Sequence, residues 1–455
     1  MIQMTARCAA LAFLLAAPAA AEPAAYSLAA AVDAVMQRSP AMAAAKDRVW
    51  QADAALRETR MKRLPRLALN SAFTRGDNPV YVFGSLLEQR TFTQANFDLD
   101  SLNNPALLSN FKNSFEVGVP LFTGFELQSY ERIGRFGRDA AASAQGLAAQ
   151  DTRYEVVESF LQVLLQRELA AELAERIESS AAELESARKL RERGLVLGSD
   201  YYAAQATMGG LRAWRIKVES GLDAAKAKLA TFLGISAQSL EVKGGLALTE
   251  CRLEPESQWL QRALSQRPEL RQASLQEDMA GALRRQEGFS LLPRVEAFGA
   301  METDTRDFNG NPWNTMFGVR ARLPLGDPAY LSRRAKAQAS WEASRAESER
   351  IREGIAIELS QAYHGYGGVC ASLPIVQDTA AKARQSLELF RPLYREGRQS
   401  IIEVLRAEEG MAKAQAAYLE DLYGLRAGKA RLLLAAGGFD GGAVGDLEAG
   451  LGEGR

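Results

Sequence analysis

In the run Phe115-Glu116-Val117-Gly118-Val119-Pro120-Leu121-Phe122-Thr123-Gly124, every second residue from Phe115 to Leu121 is apolar, with Glu116 and Gly118 between. A period of two is that of a strand with one apolar face. Directly afterwards the period changes. No proline occurs from Phe125 to Arg193, and Val157, Phe160, Leu161, Leu164, Leu165, Leu169, Leu173, Ile177 and Leu184 recur at spacings of three and four. That spacing predicts a helix, which at 1.5 Å per residue extends for roughly 100 Å. Helices of that length have no place in a compact globule.

The same switch from strand to helix occurs a second time. Phe317, Val319, Ala321 and Leu323 alternate with Gly318, Arg320 and Arg322 and end at Pro324. Pro40 and Pro65 recur as Pro268 and Pro293, both 228 residues on. Gly194 follows Pro120 by 74 residues and Gly397 follows Pro324 by 73, so the chain is two copies of one unit. The expected organisation is repeat 1 over 22–240, a linker over 241–254, repeat 2 over 255–436 and a glycine-rich tail over 437–455 read as disordered.

Each repeat carries two strands, near 65–74 and 113–121 in the first and near 293–302 and 315–325 in the second. Leu67, Leu69 and Phe73 alternate in the first strand, and Val295, Ala297 and Met301 weakly in the third. The opposite faces carry Glu116, Glu296, Arg320 and Arg322. Twelve of the 18 phenylalanines lie within 65–125 and 289–326. Aromatic residues gathered around strands, with charges opposite an apolar face, suit an outer-membrane barrel with lipid on one side and a lumen on the other. A soluble hairpin packed on a helix is the alternative. Four strands cannot close a barrel, and an open sheet edge in lipid leaves backbone groups unpaired. Three copies sharing one twelve-stranded barrel solve both problems.

The ends and composition agree with export. Arg7, the apolar run Cys8–Ala17 and Ala19-Ala20-Ala21 have the pattern of a signal peptide over 1–21. Lys and Arg number 55 against 56 Asp and Glu, which gives no support to nucleic-acid binding. Cys251 and Cys370 remain after cleavage and are read as two free thiols, with a disulfide the alternative in an oxidising compartment. No segment has the 18 or so consecutive apolar residues of a membrane-spanning helix. Enzyme chemistry is not expected. The sole histidine, His364, has no second histidine for a metal or a triad, and Gly134 and Gly137 lack the context of a dinucleotide site. No cofactor or metal is implied.

These residues resemble the TolC-like outer-membrane efflux proteins over most of the chain, from Tyr26 to about Gly437. Phe115–Gly124 looks like that family's second strand leading into a long helix. Tyr394-Arg395-Glu396-Gly397-Arg398-Gln399-Ser400-Ile401-Ile402-Glu403-Val404-Leu405 looks like its hairpin tip. The resemblance implies a mainly α homotrimer: a shared twelve-stranded barrel in outer-membrane lipid, continued by an α-helical barrel across the periplasm. It implies the exit duct of a tripartite pump or a type I secretion system, docked on a periplasmic adaptor and powered by an inner-membrane pump of the RND or ABC type. A periplasmic coiled-coil scaffold that never enters a membrane is the competing function.

Gly194 and Gly397 stand where long helices must reverse. Six residues on stand Asp200 and Glu403, each also readable as a helix N-terminal charge. By the resemblance, Glu403 matches an aspartate of the closed periplasmic constriction, and Tyr394 a tyrosine that restrains the inner helix pair. Gln399 and Arg406 depart from the family pattern, so a pairing of Glu403 with Arg406 of a neighbouring chain is expected instead. Arg193, Gly194, Leu195, Gly397 and Arg398 are the candidate adaptor-docking tips; solvated basic helix ends explain the arginines equally. Gly365, Gly367, Gly368 and Pro374 predict a kink or short break in the long helix of repeat 2. An insert around 78–110 predicts an elaborated external loop, open to reading as a plug, a receptor or a variable loop.

Overall fold

The computed structural model describes residues 24–307 and 313–452, so the expected signal peptide lies outside the described residues. In chain order the elements are β1 (Ala24–Tyr26), α1 (Leu28–Arg38), α2 (Pro40–Met61), β2 (Arg66–Gly76), α3 (Pro79–Glu88), α4 (Leu99–Asn103), β3 (Leu108–Phe122), α5 (Glu126–Glu192) and α6 (Gly198–Leu233). There follow β4 (Leu240–Val242), α7 (Glu256–Gln266), α8 (Pro268–Gly288), β5 (Arg294–Thr305), β6 (Trp313–Arg322), α9 (Tyr330–Arg395), α10 (Ile401–Ala435) and α11 (Gly441–Ala449). The duplication is visible in these limits, since α1, α2 and β2 begin at 28, 40 and 66, and α7, α8 and β5 at 256, 268 and 294.

The repeats are not the compact units. One unit gathers the chain up to Ala43, Leu147–Arg267 and the chain from Gly354 onward; the other gathers Ala44–Gly146 and Pro268–Glu353. Each unit therefore takes material from both repeats.

The first unit is helical. Its core surrounds Val156, Val157, Phe160, Leu161, Val163 and Leu164 of α5, with Leu28, Ala31, Val32 and Val35 of α1, Leu229 and Leu233 of α6, and Ala430 of α10. This stretch of α5 is apolar on nearly every side because helices cover it on nearly every side. α9 is assigned as one unbroken helix of 66 residues although Pro374 and Pro392 lie inside it, which corrects the expected break. A proline removes one helical hydrogen bond, and of the α9 glycines only Gly367 meets a neighbour, its added Cβ lying 3.3 Å from Leu253. The close approach of α9 and α10 depends on glycines of α10, since a Cβ on Gly424 or Gly428 would lie 3.2 Å from Val369 or 3.3 Å from Tyr366. The tail is also corrected. Asp440 caps α11 by accepting from the Ala443 amide at 2.9 Å, and Phe439, Val444 and Leu447 join the core. Val444 and Leu447, one turn apart in α11, and Phe439 just before it outweigh the glycines, three of which (Gly441, Gly442 and Gly445) lie within α11 itself. Cys251 and Cys370 form a disulfide with Cα atoms 5.9 Å apart, where free thiols were expected. Among the described residues no helix is long and apolar enough to cross a membrane.

The second unit holds an antiparallel sheet in the order β2-β3-β5-β6. β3 pairs with β2 as Phe115↔Leu69 and Glu116↔Ala68, and with β5 as Phe115↔Met301 and Glu116↔Ala300. The register shifts between Pro120 and Phe122, a bulge that accommodates a proline with no N–H to donate. Gly124 and Phe125 then both take positive φ, 61° and 62°. A left-handed phenylalanine is unusual; its ring packs on Phe122 and Phe289, with centroids 5.4 and 5.3 Å away. The insert is not an irregular loop: it forms α3, a 3-10 turn and α4 before β3 begins at Leu108.

Candidate functional site: hairpin tips and the polar sheet face

Both helical hairpins of the first unit reverse through the same backbone device. The Gly194 amide donates to Arg191 O at 2.9 Å and Leu195 to Leu190 O at 3.0 Å; Gly397 donates to Tyr394 O at 2.9 Å and Arg398 to Leu393 O at 2.8 Å. These are Schellman closures, with glycine at the left-handed position: φ is 75° at Gly194 and 73° at Gly397. Behind them Ala187, Tyr201, Ala204, Met208, Tyr394, Ile401, Val404 and Leu405 form one apolar cluster, which locks the two tips together.

Asp200 in the first turn of α6 accepts from the Ser400 hydroxyl at 3.0 Å, and the same hydroxyl accepts from the Ile402 amide at 3.2 Å as the N-cap of α10. Ser400 thus joins the two tips. Glu403 pairs with Arg406 of its own chain at 2.9 Å, one helical turn on. Tyr394 is buried, and its hydroxyl has no hydrogen-bond partner among the described residues. Burial, and then the Glu183 carboxylate, push its pKa above the ordinary phenol value.

The tip charges are largely paired. Arg188 meets Glu185 and Glu192 at 2.8 and 2.7 Å, Arg191 lies over the Tyr201 ring at 4.4 Å, and Arg398 meets Glu396 at 3.4 Å. Leu195, 71% exposed, is an apolar side chain at the outermost turn, beside exposed Arg193 and Gly194.

One cluster escaped the sequence. Glu408 of α10 is fully buried, bonded to Arg391 of α9 and to the Ser179 hydroxyl of α5 at 2.9 Å, with Arg176 3.6 Å away. Arg395 reaches Glu183 at 3.1 Å beside it. Charged residues are abundant along all three helices, so no local pattern marked these as the buried ones.

In the second unit the strand registers sort side chains by face. Glu116, Glu296, Arg320 and Arg322 share one face, with Glu296 directly opposite Arg320. Glu116 accepts from Asn70 Nδ2 at 3.0 Å, Glu296 reaches over Gly118, where a Cβ would lie 2.8 Å from its carboxylate, and Arg320 lies over Phe298 at 4.9 Å. Lys112, Glu302 and Asp304 extend this polar face and were not anticipated; Lys112 pairs with Glu302 at 2.5 Å. The opposite face carries Leu67, Leu69, Phe115, Val117, Val119, Phe317 and Val319. Leu69 is 76% exposed and Phe317 88%. Apolar side chains aligned over β2, β3 and β6, with those of the two edge strands left uncovered, mark a surface made for a nonaqueous neighbour. β2 and β6 are the sheet's edges. No group of acidic, histidine or cysteine side chains able to hold a metal occurs among the described residues.

Known structures share this fold. A membrane protein from Pseudomonas aeruginosa matches with a TM-score of 0.78 and 17% identity over 90% of this chain and 93% of its own. The CmeC outer membrane channel of Campylobacter jejuni matches at 0.79 and 15% over 93% and 89%, and the MtrE outer membrane channel of Neisseria gonorrhoeae at 0.74 and 15% over 90% and 89%. No curated protein sequence is significantly similar. The model of one family, described as outer membrane efflux protein, matches residues 31–235 and 259–438, a segment in each repeat. With that match over most of its length, the chain belongs to the outer membrane efflux protein family.

Proposed function

We propose that three copies of this chain form the outer-membrane exit duct of a tripartite efflux pump or type I secretion system, a passive conduit for small molecules, ions or protein. The observation that carries this reading is the sheet: four strands with two edges, one face apolar and exposed, the other charged. Three such sheets joined at their edges make a twelve-stranded barrel with its apolar face to lipid and Glu116, Glu296, Arg320 and Arg322 in the lumen, and no backbone edge is left unpaired. Asp200, Tyr394, Glu403 and Arg406 then stand at the periplasmic constriction. Arg193, Gly194, Leu195, Gly397 and Arg398 are the surface offered to a periplasmic adaptor, itself bound to an RND or ABC pump. Because the tip charges are mostly paired, exposed Leu195 is the stronger docking element.

Cell fractionation and the mass of the detergent-extracted protein test this. Recovery with outer membranes as a trimer is expected; release by osmotic shock as a water-soluble monomer sinks the proposal in favour of a periplasmic scaffold.

A further inference from the structure

Charge is divided unevenly among the strands of the sheet. The inner strands hold every acidic residue, Glu116 in β3 and Glu296, Glu302 and Asp304 in β5. The edge strands hold none; their charges are Arg66 and Arg75 in β2 and Arg320 and Arg322 in β6. The registers put Arg66, Arg320 and Arg322 on the polar face, and Arg75 on the apolar face with Leu67 and Leu69.

Ion pairing follows the same division. On the inner strands Lys112 meets Glu302 at 2.5 Å, and Arg294 meets Glu126 of α5 at 2.9 Å. Arg66, Arg320 and Arg322 are exposed and have no carboxylate partner among the described residues. Glu296 stands opposite Arg320 but turns over Gly118, and Glu116 is held by Asn70 and Ser114 at 3.0 and 3.2 Å. The three unpaired guanidiniums of the polar face thus lie only on the strands that lack a neighbour.

They also lie at one end of the sheet. β2 begins with Arg66, β6 ends with Arg322, and the two strands run in opposite directions. When β6 of one copy joins β2 of the next, Arg320 and Arg322 therefore come to stand beside Arg66, at the end where β3 runs into α5. Like charges side by side across a strand pair are unfavourable, and neither edge strand brings a carboxylate to offset them.

Resting on the trimeric duct proposed above, we infer that each seam between copies binds a multivalent oxyanion from the lumen, of the phosphate or polycarboxylate class, held by Arg320 and Arg322 of one copy and Arg66 of the next. The guanidinium fork matches such oxygens two at a time. There is room for the anion, since a groove of about 610 Å³ has all three arginines in its wall. A lipid phosphate is not the source, because lipid meets the opposite face. Three seams make an anion-binding belt around one end of the barrel.

Calorimetric titration of pyrophosphate into the detergent-purified full chain tests this. Three pyrophosphates per trimer are expected. Arg66→Gln and Arg322→Gln alter exposed side chains and keep the fold; each is expected to weaken binding about tenfold or more, as loss of a hydrogen bond between charged groups does. Arg75→Gln, on the other face of β2, is expected to leave binding unchanged. A trimer that binds no pyrophosphate, or loses it equally with Arg75→Gln, overturns the belt and leaves the duct standing. A monomeric preparation overturns both.

Discussion

At the scale of single residues, the pairing of Glu403 with Arg406 sets what the constriction proposed above should do to ions. A ring of carboxylates favours cations, but here each carries its own guanidinium 2.9 Å away. Arg406→Ala is therefore expected to raise cation selectivity, and Glu403→Ala to shift the reversal potential in planar bilayers toward anions. Equal selectivity in wild type and Arg406→Ala would show that the pair lies off the ion path. Glu408 is a different kind of charge, buried between Arg391 and Arg176. Removing one partner of a buried ion cluster strands the others, at a cost of about 3–5 kcal/mol. Glu408→Ala should thus unfold at much lower denaturant concentration than Glu403→Ala, whose exposed pair is worth about 0–1 kcal/mol. Glu88 adds a pH dependence. Burial, then Asp304, and beyond them Glu302, raise its pKa from the usual carboxylate value against the opposing pull of Lys112. A raised carboxyl pKa favours the folded insert at low pH, and that contribution is lost as pH climbs through the raised value. Protection of 79–90 from hydrogen exchange, corrected for intrinsic rates, should fall as pH rises, and Glu88→Gln should flatten the change.

At the scale of elements, one closure motif ends four long helices and tolerates change unequally. Gly194, Gly234, Gly397 and Gly437 all take positive φ, from 67° to 77°. At Gly194 an added Cβ meets nothing within 4 Å, whereas at Gly437 it would lie 2.9 Å from the Arg267 amide nitrogen. Gly194→Ala should cost about 1–2 kcal/mol, the price of left-handed backbone alone, and Gly437→Ala clearly more, as thermal unfolding in detergent would show. The strands and helical hairpins were legible because their periods of 2 and 3.6 persist over many residues, as at Phe115–Leu121 and Val157–Leu184. Short-range signals misled where tertiary contacts reversed their meaning. Gly365, Gly367, Gly368 and Pro374 read as a break, yet α9 is assigned as continuous, and the tail glycines concealed Phe439, Val444 and Leu447. The candidate tips were legible from the glycines, but Ser400 linking to Asp200, and Glu408 held by two arginines, depend on which helix lies beside which. α3 was not legible as a helix because Val80, Val82, Phe83, Leu86 and Leu87 fall on several sides of only ten residues and set no clear period.

At the scale of the whole molecule, the disulfide closes a separation of 119 residues, from the linker to α9. Loops of that size gain most from closure, so reduction should cost about 2–5 kcal/mol, read as a lower unfolding temperature in reductant with no change in Cys251→Ser. The two compact units matter more, because each is assembled from both repeats. A chain cut within 241–254 is expected to yield two halves that aggregate when made separately and become soluble in detergent only when made together. Two folded, independent halves would contradict the interleaving. The same interleaving bears on concentration. One repeat alone, with one hairpin and two strands, lacks half of each compact unit, so its burial would depend on meeting a second copy. Carrying both repeats in one chain makes that meeting intramolecular, and the interior of each unit then forms at any dilution.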